Sequence, residues 1–240
     1  ALSVDMMKAL ADATARLSHR DDLRVVVVAG AGEHFMAGGD LKDFAAHLHL
    51  SPESRLATFR AMIEQYINQS VEALQALPVP VVAQVRGACA GFGLSLVLGC
   101  DMVVAADSAY FTTAYASIAL SGDGGVSWFL PRMLGRRKAF EMLLLADRFD
   151  AGEALRLGVV NRVVPPAELD AAVADLVARI VRGPGCAYGE IKRLLNASPE
   201  QSLGAQLQLE AEAFARCTSR PDFDEGINAF LGKRKTRFNG

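Results

Sequence analysis

The sequence predicts an α/β fold in which parallel strands alternate with helices, and three observations support this prediction. Residues 24–29 read RVVVVA, a continuous β-branched run typical of a strand buried on both faces. A helical pattern over residues 52–77 separates it from a second such run, VPVVAQV at residues 79–85. A glycine-rich stretch follows each run, as expected where a strand turns into a helix.

The other elements of the first half continue this alternation. Apolar residues at helical spacing predict a first helix over residues 3–17. After the second strand, we expect a tight loop, a helix and a further strand. Their predicted bounds are residues 86–93, 94–100 and 102–105. The glycine-rich stretch after the first strand, residues 30–39, is likewise predicted to be a loop.

The second half of the chain is predicted to be mostly helical. Breaks in the helical pattern are expected at Gly135, Asp150, a brief strand at residues 162–164, and Gly183. We therefore predict an α/β core at residues 1–167 and a C-terminal helical layer at residues 168–240. No internal repeat or linker is evident.

Composition and charge disfavour several classes of protein. The 240 residues are 51% hydrophobic and 22% charged, which is typical of a globular domain. A net charge of −2 gives no basic excess for nucleic acid or anionic lipid. No apolar run reaches about 18 residues and no leader is evident. The four cysteines are too widely spaced for a metal or redox pair and predict reduced thiols. We expect a cytoplasmic protein that contacts neither nucleic acid nor membrane.

Two glycine loops carry the first sign of chemistry. FMAGGDL at residues 35–41 follows one strand, and VRGACAGFGL at residues 85–94 joins another strand to a helix. Amides of such loops point outward and favour negative charge. Two amides from separate loops can form an oxyanion hole, which stabilises a developing oxyanion by about 3 to 4 kcal/mol per donor. The alternative is that the glycines serve only close packing of helix on strand.

The chain resembles the crotonase superfamily, the enoyl-CoA hydratases and isomerases. The motifs FMAGGDL, VRGACAGFGLSLVLGCD, SGDGGVSWFLPRMLG and AGEALRLGVVNRVVP stand in the family's order and cover most of the chain. The resemblance implies a spiral of ββα units and a homotrimer or dimer of trimers. It also implies an acyl-CoA thioester whose carbonyl is bound by the amides of Gly39 and Phe92. Coenzyme A would be part of the substrate, with no permanent cofactor and no metal.

The resemblance also implies which residues surround the substrate. Substrate-binding positions are expected at Ala37, Gly38, Asp40, Leu41, Gly91 and Tyr115. We interpret the Asp40 side chain mainly as a brace for the first loop, and Asp101 as a tie between helix and strand. Ala1-Leu2 match an Asn-Ala-Leu segment of the family, so we expect the N-terminal strand and hairpin of the CoA surface to be missing from this sequence.

The residues at the catalytic positions favour one reaction over others. Hydratases of the family use two glutamates, but Ser95 and Tyr115 stand there, and neither is a base at neutral pH, since tyrosine has a reference pKa of about 10. Asp123 matches the single acid of family isomerases, which moves a proton from C2 to C4 of a 3-enoyl thioester. We therefore predict an enoyl-CoA isomerase, with Gly39, Phe92 and Asp123 as catalytic residues.

Other interpretations remain open from the sequence alone. Hydration could use Asp123 and one water, or the chain could be a non-catalytic CoA-binding scaffold. Asp123 before two glycines could instead be a helix N-cap. Aryl-CoA dehalogenases of the superfamily use an aspartate near this place, together with a histidine and a tryptophan. We interpret His47 and His49 as surface or lid residues of a variable segment.

Overall fold

The computed structural model describes residues 1–238, which form two small β-sheets surrounded by helices. The strands are β1 (Val26–Ala29), β2 (Met36–Ala37), β3 (Val81–Val85), β4 (Ala88–Ala90), β5 (Met102–Ala106), β6 (Tyr110–Thr112), β7 (Phe149–Asp150) and β8 (Arg162–Val164). The helices are α1 (Val4–Leu17), α2 (Leu41–Ala45), α3 (Pro52–Met62), α4 (Gln69–Ala76), α5 (Phe92–Leu98), α6 (Val126–Leu134), α7 (Arg136–Leu145), α8 (Ala151–Arg156), α9 (Leu169–Val181), α10 (Gly185–Ala197), α11 (Leu203–Thr218) and α12 (Pro221–Leu231).

Consecutive strands are divided between the two sheets. The first sheet has the order β1-β3-β5-β8 and is parallel throughout. The second has the order β2-β4-β6-β7, and only its last pair is antiparallel. The pairs β1-β2, β3-β4 and β5-β6 therefore each give one strand to each sheet. This arrangement confirms the predicted α/β fold built as a spiral of ββα units.

The predicted loops were wrong in one respect, because each contains a short strand of the second sheet. The loop expected at residues 86–93 includes β4, and its helix begins at Phe92, two residues earlier than predicted. The glycine-rich stretch at residues 30–39 includes β2. Strands of two or three residues are too short to show an alternating pattern, so they cannot be predicted from hydrophobic periodicity.

The centre of the core is α5, which follows β4 directly. All seven of its residues are buried. A helix that is apolar on every side can only lie inside the fold. Since the helix is enclosed, the positions of Phe92 at its start and of Ser95 one turn later are fixed by the surrounding core.

The helix predicted at residues 52–77 is continuous but not uniform. It consists of α3, a π-helical segment at Ile63–Asn68, and α4. Pro52 begins α3 as its first residue, and the Ser51 side chain caps it by accepting a hydrogen bond from the Ser54 amide. Ile67 in the π segment is fully buried and fixes this helical run against the core.

Asp101 joins three parts of the fold. Its carboxylate accepts a hydrogen bond from the Val81 amide at 2.7 Å, and its Oδ2 lies 2.8 Å from Nζ of the buried Lys192 on α10. The same ammonium donates to the carbonyl oxygens of Leu74 and Val79. Asp101 thus ties the start of β3 to the C-terminal layer, as the structural interpretation of this residue predicted.

The C-terminal layer is helical, in agreement with the prediction. Helix α9 packs on β5 and β8 through a small apolar cluster of its own. Beyond it, α11 and α12 carry large apolar side chains that are exposed in the single chain: Leu203, Leu207, Phe214, Phe223, Ile227, Phe230 and Leu231. Within residues 1–238 we find no helix whose length and apolar character would let it span a bilayer.

Candidate active site

The two glycine loops meet side by side. Strands β2 and β4 pair in parallel with Ala37 opposite Ala90, so the residues that follow, Gly38 and Gly91, are neighbours. A methyl group at Gly91 would lie 3.5 Å from the Cα of Gly38. Both residues have positive φ, +90° at Gly38 and +56° at Gly91, which other residues adopt at a cost. Glycine is therefore favoured at this junction by its backbone conformation, since a methyl group at either position would make only ordinary contacts.

The amide of Gly39 points away from its β-bridge partner. Leu2 donates to the Gly38 carbonyl at 2.8 Å and accepts from the Asp40 amide at 3.0 Å. Successive peptide groups of an extended segment point to alternate sides. The Gly39 N–H therefore lies on the side opposite Leu2, and it donates to no other residue among 1–238.

The amide of Phe92 is available for a different reason. Phe92 is the first residue of α5, and the first amides of a helix have no acceptor within it. This N–H also donates to no group in the described part of the chain. Each of the two adjacent loops thus contributes one unpaired amide directly after its glycine turn, which is the chemical requirement for an oxyanion hole.

An aromatic cluster lies against the first loop. A methyl group at Gly39 would lie 2.8 Å from Cζ of Phe44, so this ring covers the loop closely. The edge of Phe59 meets Phe44, with 5.2 Å between ring centroids, and His47 packs on Phe59 at 5.4 Å. Nδ1 of His47 lies 2.8 Å from the Asp43 carbonyl oxygen. This cluster forms an apolar wall beside the first loop.

Three polar side chains from separate segments form a hydrogen-bonded chain. The Ser95 hydroxyl on α5 lies 2.9 Å from the Tyr115 hydroxyl. Tyr115 begins the 3-10 helix Tyr115–Ile118, and its hydroxyl donates to Oδ1 of Asp123 at 2.6 Å. Ser95 is fully buried, Tyr115 is 7% exposed and Asp123 is half-buried. The two positions that hold glutamates in hydratases are therefore in contact with each other and with the single carboxylate.

Burial sets the electrostatics of this chain. Loss of hydration raises the pKa of Asp123 above its ordinary value, and the hydrogen bond from Tyr115 opposes that rise. Burial, reinforced by the negative charge of Asp123, raises the pKa of Tyr115. The tyrosine therefore stays protonated and acts as a donor. A carboxylate with a raised pKa is a stronger base than an exposed one.

The interpretation of Asp123 as a helix cap was wrong. Helix α6 begins at Val126, its N-cap is Gly125 with φ +85°, and no side chain caps it. The Asp123 side chain accepts the Tyr115 hydroxyl instead. A methyl group at Gly124 would lie 2.7 Å from the ring of Phe92, so the segment carrying Asp123 packs directly on the second loop.

The other predicted binding residues lie around the first loop. Asp40 caps α2 by accepting from the Lys42 amide at 2.9 Å, so its carboxylate braces the loop as expected. Leu41 is exposed. Ala37 lines a cavity of about 510 Å³ between α1, β1 and β2. Contact of these residues with a substrate stays a prediction.

Ser95 is the residue that sequence reasoning undervalued. The motifs place it only where hydratases have a glutamate, yet its hydroxyl completes the chain to Tyr115 and Asp123. The family resemblance already indicated that Ser95 and Tyr115 are neighbours, because they occupy the positions of two glutamates that act together in hydratases. The sequence could not give the direction of the hydrogen bonds or the contact with Asp123.

A ββα spiral that brings together two free amides and a half-buried carboxylate defines the class of crotonase-fold acyl-CoA enzymes. The chain belongs to the enoyl-CoA hydratase/isomerase family, whose model matches residues 1–240. A Rhodobacter capsulatus protein named "Probable enoyl-CoA hydratase" is 37% identical over 92% of this chain and 83% of its own length. The 1,2-epoxyphenylacetyl-CoA isomerase of Escherichia coli is 33% identical over 98% of this chain and 88% of its own. The crystal structure of an enoyl-CoA hydratase from Polaromonas sp. JS666 superposes with a TM-score of 0.89 at 34% identity, covering 98% of this chain and 89% of that one.

Proposed function

We propose that this protein is an enoyl-CoA isomerase that shifts the double bond of a 3-enoyl-CoA to the 2-position. The observation that carries the proposal is the hydrogen-bonded chain Ser95–Tyr115–Asp123, in which Asp123 alone is a carboxylate. One carboxylate is sufficient to remove a proton and return it to the same molecule. The substrate would bring its own coenzyme A, and no resident cofactor or metal is proposed.

The proposed reaction needs the two loops and the carboxylate together. The thioester oxygen would accept hydrogen bonds from the amides of Gly39 and Phe92. Asp123 would take a proton from C2, and the electrons of that C–H bond would form a dienolate whose charge rests on the thioester oxygen. When Asp123 returns the proton to C4, the double bond comes to lie between C2 and C3, and the carboxylate of Asp123 is restored. The oxyanion hole lowers the barrier because the charge on oxygen develops only on the way to the dienolate.

Hydration is the nearest alternative, since relatives with hydratase names are as similar as the isomerase. Adding water requires a base that activates the water and an acid that protonates C2. Ser95 supplies neither, and burial and the charge of Asp123 raise the pKa of Tyr115, which excludes it as a base near neutral pH. Asp123 and one water would have to serve both roles.

The first test is an assay with two substrates. We expect 3-hexenoyl-CoA to give a rapid rise in 2-enoyl thioester absorbance, while crotonyl-CoA keeps its absorbance. Loss of crotonyl-CoA absorbance at a comparable rate would replace the isomerase proposal by hydration. If neither thioester reacts, equilibrium binding of both should be measured, because tight binding without turnover would favour a CoA-binding scaffold.

The CoA portion of the substrate is proposed to lie along the first loop. The cavity beside Ala37 is also lined by Met6, Val28 and Gly30. Its position next to Gly38 and Gly39 suits the part of the ligand nearest the thioester. The aromatic wall of Phe44 and Phe59 would then face the acyl group from the other side of the loop.

We also propose that the chain assembles into a homotrimer, or a dimer of trimers, through the C-terminal layer. Phe230 is 82% exposed and Leu203 76% exposed in the single chain, and such rows of large apolar side chains mark interfaces. Analytical ultracentrifugation should give three or six chains per particle for the wild type. Phe230→Glu should lower that number. The control is Leu56→Glu, which also replaces an exposed apolar side chain by glutamate but lies on α3, outside the C-terminal layer, and should leave the number unchanged. A wild-type monomer would contradict the proposal.

A further inference from the structure

We propose that Tyr115 is a positioning residue: its hydroxyl, oriented by Ser95, holds Oδ1 of Asp123 and leaves Oδ2 as the oxygen that exchanges a proton with the substrate. The inference rests on the proposed function, because it assigns a role to a neighbour of the proposed base. It goes beyond that function, because it explains how a tyrosine and a serine serve the site in place of two glutamates.

The direction of the hydrogen bonds follows from the groups themselves. An ionised carboxylate can only accept, so the single proton of the Tyr115 hydroxyl is committed to Asp123 at 2.6 Å. The tyrosine oxygen can then only accept from Ser95, at 2.9 Å. Ser95 therefore donates to Tyr115, and Tyr115 donates to Asp123. A carboxylate held through one oxygen presents the other in a fixed direction.

The backbone around Asp123 explains why such an anchor is needed. Asp123 lies between Gly122 and the pair Gly124–Gly125, and all three glycines have positive φ. A segment of this composition has many accessible conformations, so it cannot by itself fix the direction of a side chain. The base would lose much of its effectiveness if its carboxylate could rotate away from C2.

The two anchoring residues are held firmly. Ser95 lies on α5, where every residue is buried. Tyr115 is enclosed by the core, and its carbonyl accepts from the Leu120 amide at 3.0 Å. The residues that flank its 3-10 helix, Ala114 and Ala119, both have left-handed backbone conformations, with φ of 58° and 61°. Such conformations persist in non-glycine residues only where the surroundings fix them.

Tyr115 is also the group that tunes the carboxylate. The elements packed on the segment of Asp123 contribute Phe92 and Ser95 from α5 and Val126 and Phe129 from α6. None of these four titrates, so Tyr115 is the titratable neighbour in the described contacts. Its hydrogen bond lowers the pKa of Asp123 against the rise caused by burial. Removing the hydroxyl should therefore raise that pKa further.

The test uses Tyr115→Phe, which keeps the ring and removes only the hydroxyl. The Asp123 pKa can be followed without any substrate by carbon-13 NMR of protein with labelled aspartate carboxyls, the Asp123 signal being assigned with Asp123→Asn. We expect Tyr115→Phe to raise the pKa of Asp123, because the hydrogen bond that opposes the effect of burial is lost. The acid limb of the kcat/KM profile should move to higher pH by the same amount, because the base must be ionised to act. KM should change little, whereas kcat should fall about tenfold or more.

Two further variants complete the experiment. Ser95→Ala should shift the pKa in the same direction by less, since it acts through Tyr115. Tyr110→Phe is the matched control, because Tyr110 packs beside Arg148 and is not part of the chain to Asp123, and it should shift nothing. An unchanged Asp123 pKa and an unchanged pH profile in folded Tyr115→Phe would overturn the inference. Full activity in Asp123→Asn would instead overturn the proposed function, so the two failures are distinguishable.

Discussion

Replacing Asp123 by asparagine is expected to lower kcat for a 3-enoyl-CoA by about 10³- to 10⁴-fold, the range found for loss of a general acid–base. The change is isosteric, and the asparagine oxygen can still accept the Tyr115 hydroxyl that Oδ1 accepts now. An amide cannot remove a proton from C2. The dissociation constant for a non-reacting acyl-CoA should stay within about twofold, because binding relies on the loops and not on the base.

Asp175→Asn provides the matched control for this experiment. Asp175 is an exposed aspartate on α9, outside the site, and its variant should keep wild-type kcat and affinity. If Asp123→Asn retained more than about a tenth of the wild-type kcat, proton transfer by this residue could not supply the general-base factor, and the base would have to be sought elsewhere.

Substituting Gly91 by alanine should disable the oxyanion hole without touching the base. Gly91 has φ +56° and ψ −126°, a conformation that alanine adopts only with strain of about 1 to 3 kcal/mol. The peptide that joins Gly91 to Phe92 can relieve the strain by rotating, which turns the Phe92 amide away from the thioester oxygen. Loss of one oxyanion donor lowers kcat by about 10²- to 10³-fold, and steady-state kinetics should detect it.

Gly135→Ala separates strain from catalysis. Gly135 joins α6 to α7 with φ +78° and ψ 157°, and a methyl group there would meet open space. This variant should lose a similar amount of stability, measured by urea unfolding, and keep the wild-type kcat. If Gly91→Ala lost no more activity than Gly135→Ala, the Phe92 amide would not be part of the reaction.

Much of the fold could be predicted because the buried elements leave strong patterns. The runs that became β1 and β3 and the strand β8 were placed within about two residues, because their β-branched residues favour strands. The expectation that the first strand is buried on both faces was wrong, since β1 lies at the edge of its sheet and Val27 is 41% exposed. The strands β2, β4, β6 and β7 span two or three residues each and carry no period of their own. Their pairing depends on the arrangement of the ββα units in space, which only the family resemblance indicated.

The site was predictable to the level of residue types but not of contacts. The glycines marked both loops because a positive φ leaves few other choices at Gly38 and Gly91. The hydrogen-bond partner of Asp123 could not be predicted from the sequence, since an aspartate before two glycines is also typical of a helix N-cap. The contact with Tyr115 forms where the segment after the 3-10 helix returns Asp123 to the tyrosine hydroxyl, eight residues back along the chain. The three glycines with positive φ around Asp123 make this turn, and their conformation cannot be predicted from the local pattern.

The most direct measurement is the mass of the product formed from 3-hexenoyl-CoA by the wild-type protein. Chromatography coupled to mass spectrometry, with absorbance recorded on the same sample, separates the two reactions in one experiment. An isomerase gives a product of unchanged mass with new 2-enoyl absorbance, and Asp123→Asn should yield almost none of it. If 3-hexenoyl-CoA stayed unchanged while a parallel sample of crotonyl-CoA gave a product heavier by one water, the site would be a hydratase, and that result would contradict the single-carboxylate isomerase.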